Sequence, residues 1–194
     1  HASLPTSRGA EQPVNLPWLN RAQEHAVSEV LRARDVAVVH GPPGAGKTTT
    51  LVEAVCEVLR RETQVLICAQ SNMAVDWISE KLIERGVSVL RVGNPLRMTD
   101  AMLTHSYERR FADHPDYPRL WALRRQIRQL YTLPRRERPS AFRSKIDALR
   151  EKASSLECRI RQQLFEETRA VTCTLAGSAS PLLDGLHFHT LFID

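Results

Sequence analysis

Residues 41–50 read GPPGAGKTTT and join the apolar run VAVVH to the helical stretch LVEAVCEVLRR. This junction constrains the fold more than any other stretch of the chain. Gly41, Gly46, Lys47 and Thr48 meet the spacing GxxxxGK[ST]. A strand that ends in a glycine-rich turn and restarts as a helix is the first half of a strand–helix–strand unit. Such units build parallel sheets with helices packed on their faces.

The rest of the chain repeats the alternation. NRAQEHAVSEVLRA has apolar residues at Ala22, Ala26, Val27, Val30 and Leu31, a helical spacing, and DVAVVH then reads as a buried strand. Residues 47–60 predict a helix, TQVLICA a second strand, MAVDWISEKLIERG a helix stopped by Gly86, and VSVLRVG a third strand. The pattern then changes. Between residues 98 and 168 no strand run occurs. Leu120, Leu123, Ile127 and Leu130 repeat at helical spacing. The series Phe142, Ile146, Leu149, Ala153, Leu156, Ile160 and Leu164 steps by three and four, as in a heptad seam. Pro134 and Pro139 bracket the break between them, which predicts two antiparallel helices. RAVTCT and FHTLFID restore the strand pattern. The expected class is α/β, a parallel P-loop sheet with an inserted antiparallel helical hairpin. The expected boundaries are a lead-in over 1–17, the α/β body over 18–97 and 169–194, and the insertion over 98–168.

The chemistry of the loop follows from its residue types. Glycines allow backbone N–H groups to converge on anionic oxygens, and the helix that starts at the loop directs its positive end to the same point. Gly41, Pro42, Pro43, Gly44, Ala45, Gly46, Lys47, Thr48 and Thr49 are therefore the expected triphosphate cradle. Lys47 supplies a charge for the β- and γ-phosphates, and the Thr48 hydroxyl is a hard ligand for Mg²⁺. TLFID closes the last strand on Asp194, a second Mg²⁺ holder at a strand tip. Lys47 and Asp194 are the candidate catalytic residues, with ATP and Mg²⁺ as cofactors. The plain alternatives are a chance glycine-rich turn and an ordinary strand end.

Composition narrows the setting. No apolar run approaches the roughly 20 residues that span a bilayer, so no membrane partner is expected. Cys56, Cys68, Cys158 and Cys173 form no CxxC pair, and Cys68 and Cys173 read as buried thiols in a reducing compartment. The expected location is the cytoplasm, or the nucleus in a eukaryote. The net charge is +5, yet residues 119–145 carry nine Arg or Lys against Glu137 alone, so the remainder of the chain is net acidic. Such one-sided charge suits a nucleic-acid backbone as well as it suits a solvated face.

The order LNRAQ, GPPGAGKTTT, CAQSNMAVDWISEKL, VLRVGNPLRM, AVTCTLAGSAS and TLFID resembles superfamily 1B helicases. The nearest branch is that of the nonsense-mediated-decay helicase and the immunoglobulin-mu-binding-protein helicase, and the resemblance runs from Leu19 to Asp194. It implies a RecA-like motor domain, the first of two, with single-stranded RNA or DNA as partner. It implies that Gln23 reads adenine, and that Ser71, Asn72 and Thr174 contact the nucleic-acid backbone. The plain alternatives are a solvated Gln23 and helix capping by Ser71 or Asn72. Arg135, Arg136 and Arg138 at the hairpin tip are the expected phosphate contacts of the insertion. Gln70 and Ala45 depart from the branch, which commonly has proline and threonine there. The catalytic Glu that often follows the strand-tip acid, the later motifs and the second RecA-like domain are missing from the sequence, so the chain reads as a truncated motor domain with little turnover of its own. The rival function is a P-loop ATPase switch that moves no nucleic acid and uses the insertion as a protein-docking arm.

Other residues receive bland readings. His187 and His189 share a predicted strand face with no third ligand, and are read as a strand pair. Trp77 and Trp121 are read as core or helix-contact residues in preference to base-stacking platforms.

Overall fold

The structure, a computed structural model, describes residues 16–134 and 141–194. The first helix, α1 (Arg21–Arg32), begins where Asn20 and Gln23 form a reciprocal capping box, and it buries Val27 and Leu31. Helix α2 (Lys47–Val58) starts from Gly46 and buries Val52, Val55 and Val58. Strand β1 (Val65–Ala69), helix α3 (Asn72–Glu84) and strand β2 (Val89–Arg91) follow. Gly86 stops α3 as expected, at φ +77°. Beyond β2 come α4 (Asp100–Leu103), α5 (Tyr107–Ala112), α6 (Tyr117–Thr132) and α7 (Phe142–Glu166), then strands β3 (Ala170–Thr174) and β4 (Leu191–Ile193).

The four strands make one parallel sheet in the order β2-β3-β1-β4. Alternation along each strand divides the core into two layers. Val65, Ile67, Ala69 and Ala170 face the layer built by α1, α2 and α3, together with Val55, Ile78 and Leu82. Cys68, Val171 and Cys173 face the other layer, built by Tyr107, Leu120, Ile160, Leu164 and Phe165. A parallel sheet must be covered on both faces, and here the C-terminal half of α7 covers the second. The Cys68 and Cys173 thiols are buried, as the sequence suggested, and their sulfurs lie 3.6 Å apart across the β1–β3 ladder. The hydrogen bond it shares with Cys68, and burial, both push the Cys173 thiol up.

The helical hairpin forms. Asp116 pairs with Arg159, Arg124 with Glu157, and Tyr131 with Arg150, so one helix is read forwards as the other is read backwards. Ile146, Ala153, Leu156, Ile160 and Leu164 of the heptad series are buried. At 25 residues α7 is about 38 Å long.

Three expectations are corrected. DVAVVH is not a strand: residues 35–40 run beside α1 and join no ladder, with Val36 79% and Val38 85% exposed. An apolar run becomes a strand only where a sheet edge accepts it, and this run instead lines an open cleft with Ala22, His25 and Glu29 of α1. His187 and His189 precede β4 in irregular chain rather than sharing a strand face, and among the described residues no group of three or more His, Cys, Asp or Glu side chains is placed to hold a metal ion. Trp77 and Trp121 are not core residues. They are 41% and 52% exposed, with Lys81 and Arg125 lying over their rings.

Candidate functional site

The loop Gly41–Gly46 turns through two left-handed glycines, Gly44 at φ +81° and Gly46 at φ +76°. Residues with a Cβ rarely adopt that conformation. Gly46 is also the N-cap of α2 and supplies no side chain, and the first turn holds no acid. The opening N–H groups and the positive helix end are therefore left for an external anion. Lys47 folds back across the loop, donating from Nζ to the Gly41 carbonyl at 2.9 Å and the Pro42 carbonyl at 3.1 Å. Gln23, distant in sequence, sits against the same loop. Its Nε2 donates to the Ala45 carbonyl at 3.4 Å, and a Cβ on Gly46 would come within 2.4 Å of that nitrogen. Its Oε1 accepts from the Asn20 N–H at 3.0 Å. Gln23 is thus neither free in solvent nor a simple cap. It ties the start of α1 to the glycine-rich loop.

A second group of residues lies along the carboxyl edge of the sheet, where loops leave a parallel sheet. Ala69 is level with Thr174, Cys68 is level with Ile193, and the Asp194 N–H donates to the Cys68 carbonyl at 3.0 Å. Ser71, Thr174 and Asp194 therefore emerge from three adjacent strands. The Ser71 hydroxyl caps α3 by accepting from the Ala74 N–H at 3.1 Å. The Thr174 hydroxyl accepts from the Gly177 N–H at 3.0 Å and so braces the turn after β3. The Asp194 side chain is exposed and makes no hydrogen bond or ion pair among the described residues. Among the described residues no hydrogen bond joins it to Thr48. Arg135, Arg136 and Arg138 lie outside the described residues.

The sequence reading missed Arg91. Its side chain is fully buried at the end of β2, and its Nε donates to Asp76 Oδ1 at 2.8 Å. Its other nitrogens donate to the Val92 carbonyl at 2.7 Å and to Asn72 Oδ1 at 2.9 Å. Asp76 Oδ2 accepts from the Thr99 N–H at 2.7 Å, and the Arg91 N–H donates to the His105 carbonyl at 2.9 Å. One buried ion pair thus links the head of α3, the end of β2 and the first turns of the inserted helices. A signal existed, since VLRVG places an arginine inside an apolar run, yet nothing in the spacing named its partners.

The insertion presents a basic outward face. On α6 the residues Leu120, Leu123, Ile127 and Leu130 turn toward α7, which leaves Trp121, Arg125 and Arg128 on the far side. Arg119, Arg125 and Arg128 are exposed and have no ion pair among the described residues, whereas Arg124 is taken by Glu157.

Comparison with known proteins gives a consistent result. Residues 18–133 match the family described as AAA domain. The DNA polymerase alpha-associated DNA helicase A of Schizosaccharomyces pombe is 32% identical over 183 residues, covering 91% of this chain and 27% of that protein. The DNA-binding protein SMUBP-2 of Mesocricetus auratus is 33% identical over 185 residues, 91% of this chain and 19% of the relative. The ATP-dependent helicase upf1 of Schizosaccharomyces pombe is 27% identical over 192 residues, 93% of this chain and 19% of the relative. The chain therefore spans 19–27% of the length of these relatives. With a parallel α/β sheet, a glycine-rich loop at the head of α2 and these relatives, the chain belongs to the AAA domain family, as a first RecA-like domain of the superfamily 1B helicase type.

Proposed function

We propose that the chain is the ATP-binding motor domain of a nucleic-acid helicase or translocase, working with a second RecA-like domain on single-stranded RNA or DNA. The observation that carries the reading is the loop at the head of α2. Two left-handed glycines, an uncapped helix start and a lysine turned over the loop form a cradle that accepts a phosphate chain. A Cβ at Gly46 would strike Gln23.

The residues present fit Mg·ATP. The loop N–H groups and Lys47 would hold phosphate oxygens, with Lys47 exchanging the Gly41 and Pro42 carbonyls for charged partners. Thr48 and Asp194 are the hard oxygen donors for Mg²⁺. The Gln23 amide, already seated on the loop, is the group to pair with an adenine edge. When bound, the nucleotide supplies the phosphoanhydride whose cleavage changes how tightly the domain holds its strand. The names of the relatives, which include DNA helicase and ATP-dependent helicase, support a nucleic-acid partner. Ser71 and Thr174 at the sheet edge, and the Trp121–Arg125–Arg128 face of α6, are the surfaces offered to it. Its single-stranded backbone would meet donors and positive charge on both.

Strand displacement by the full-length parent tests this. The expected result is unwinding that needs ATP and is lost in Lys47→Ala. Hydrolysis stimulated by nucleic acid, with neither unwinding nor translocation, would favour the switch reading instead.

A further inference from the structure

Asn72 opens α3 and is only partly exposed. Its amide has two chemically opposite ends, and Arg91 decides which one faces outwards. A guanidinium carries donors and no acceptor, so the Asn72 atom that meets Arg91 at 2.9 Å is the oxygen. Asp76 and the Val92 carbonyl hold the guanidinium in place from two other directions. Thr99 fixes Asp76 in turn. The Asn72 NH₂ group is therefore the free end, and no acceptor among the described residues takes its protons. Beside it, the Ser71 oxygen is engaged by Ala74, which leaves the hydroxyl proton to donate. The positive end of α3 adds to the same point.

We propose that Arg91 is a positioning residue: it locks the Asn72 amide with its NH₂ outward, so that the head of α3 offers donors only and binds a backbone phosphate oxygen of the nucleic acid. The assignment rests on the reading that Ser71 and Asn72 face that strand. It also gives a role to a charged side chain buried at the end of β2. A buried ion pair seldom stabilises a fold more than a well-packed apolar pair does.

The test is a thermodynamic cycle on affinity for a labelled oligothymidylate and a labelled oligouridylate, with the thermal midpoint followed in parallel. Asn72→Ala should weaken binding by about three- to tenfold, the value of one net hydrogen bond, and should also lower the midpoint, because a donor of the buried Arg91 loses its acceptor. Arg91→Met combined with Asp76→Leu removes the ion pair without stranding a charge, and should weaken binding by a similar factor. Adding Asn72→Ala to that pair should cost nothing more, because the amide is no longer oriented. If the paired variant binds like the wild type while Asn72→Ala does not, Asn72 touches the strand but Arg91 does not position it, and the proposal falls. Additive losses would also overturn it. If Asn72→Ala itself binds like the wild type, the reading of this edge as a strand contact fails, and the proposal with it. Should the paired variant not fold, the side-chain amide resonances of Asn72 in the wild type decide. They should shift when the oligonucleotide is added, and unmoved signals would overturn the proposal.

Discussion

At the scale of residues, the chain separates groups whose chemistry is local from groups whose role depends on distant partners. Lys47, Thr48 and the loop glycines could be proposed as a phosphate cradle from GPPGAGKTTT alone, because phosphate binding needs adjacent N–H groups and a nearby charge. Arg91 could not, because Asp76 and Asn72 lie 15 and 19 positions away on another element. Ser71 was open between capping and binding, and in the structure it caps. Arg91→Met alone should destabilise the fold by about 3–5 kcal/mol, since it leaves the Asp76 carboxylate buried without a partner. Denaturant titration checks this, and the loss should shrink when Asp76→Leu is added. His105 makes a second case. Burial, with the nearby Arg110 charge, holds its imidazole below the ordinary value. The folded form is then the weaker proton acceptor, so acidification through the unfolded value near 6.5 favours unfolding. Stability should fall below that pH through this group, and His105→Gln should flatten that part of the profile.

At the scale of elements, the helices were more legible than the strands. The period of three and four in α7 survives in the structure because the seam meets α6 over its first part and the sheet over its last turns. DVAVVH failed because an apolar run carries no record of which edge will accept it. The tryptophans failed for a related reason. Trp121 belongs to α6, yet its position relative to Leu120 and Leu123 turns it away from the seam. That face carries a prediction. Arg125→Gln with Arg128→Gln should make the slope of log affinity against log salt shallower by about 1.4 on a single strand, at roughly 0.7 for each phosphate no longer neutralised. Trp121→Ala should weaken binding by about 1–3 kcal/mol if a base stacks there. Because the three side chains are exposed, thermal midpoints should barely change. Fluorescence anisotropy at several salt concentrations reads both effects. An unchanged slope would assign this face to solvent or to a protein partner.

At the scale of the molecule, α7 is more than an appended arm. Its C-terminal half packs Ile160, Leu164 and Phe165 against Val171 and Cys173, so the insertion supplies one of the two core layers. The α/β class and the hairpin were legible in the pattern of runs. That covering role was not, because heptad spacing identifies a seam without naming what lies under it. Ile160→Ala should cost about 2–5 kcal/mol and lower the stability of the whole domain in one transition, rather than loosening the hairpin by itself. On the other side of the sheet, α1 and α2 bring Gln23 and Lys47 to one loop, and the proposed function stands on that loop holding a nucleotide. Titration calorimetry of the protein with Mg·ATP and Mg·ADP, against Lys47→Ala, tests it most directly. The expected result is saturable binding with a dissociation constant between micromolar and millimolar. In the variant the affinity should fall by about ten- to a hundredfold, the value of hydrogen bonds to a charged partner. Equal affinity in the two proteins, or no binding by the wild type, would contradict it.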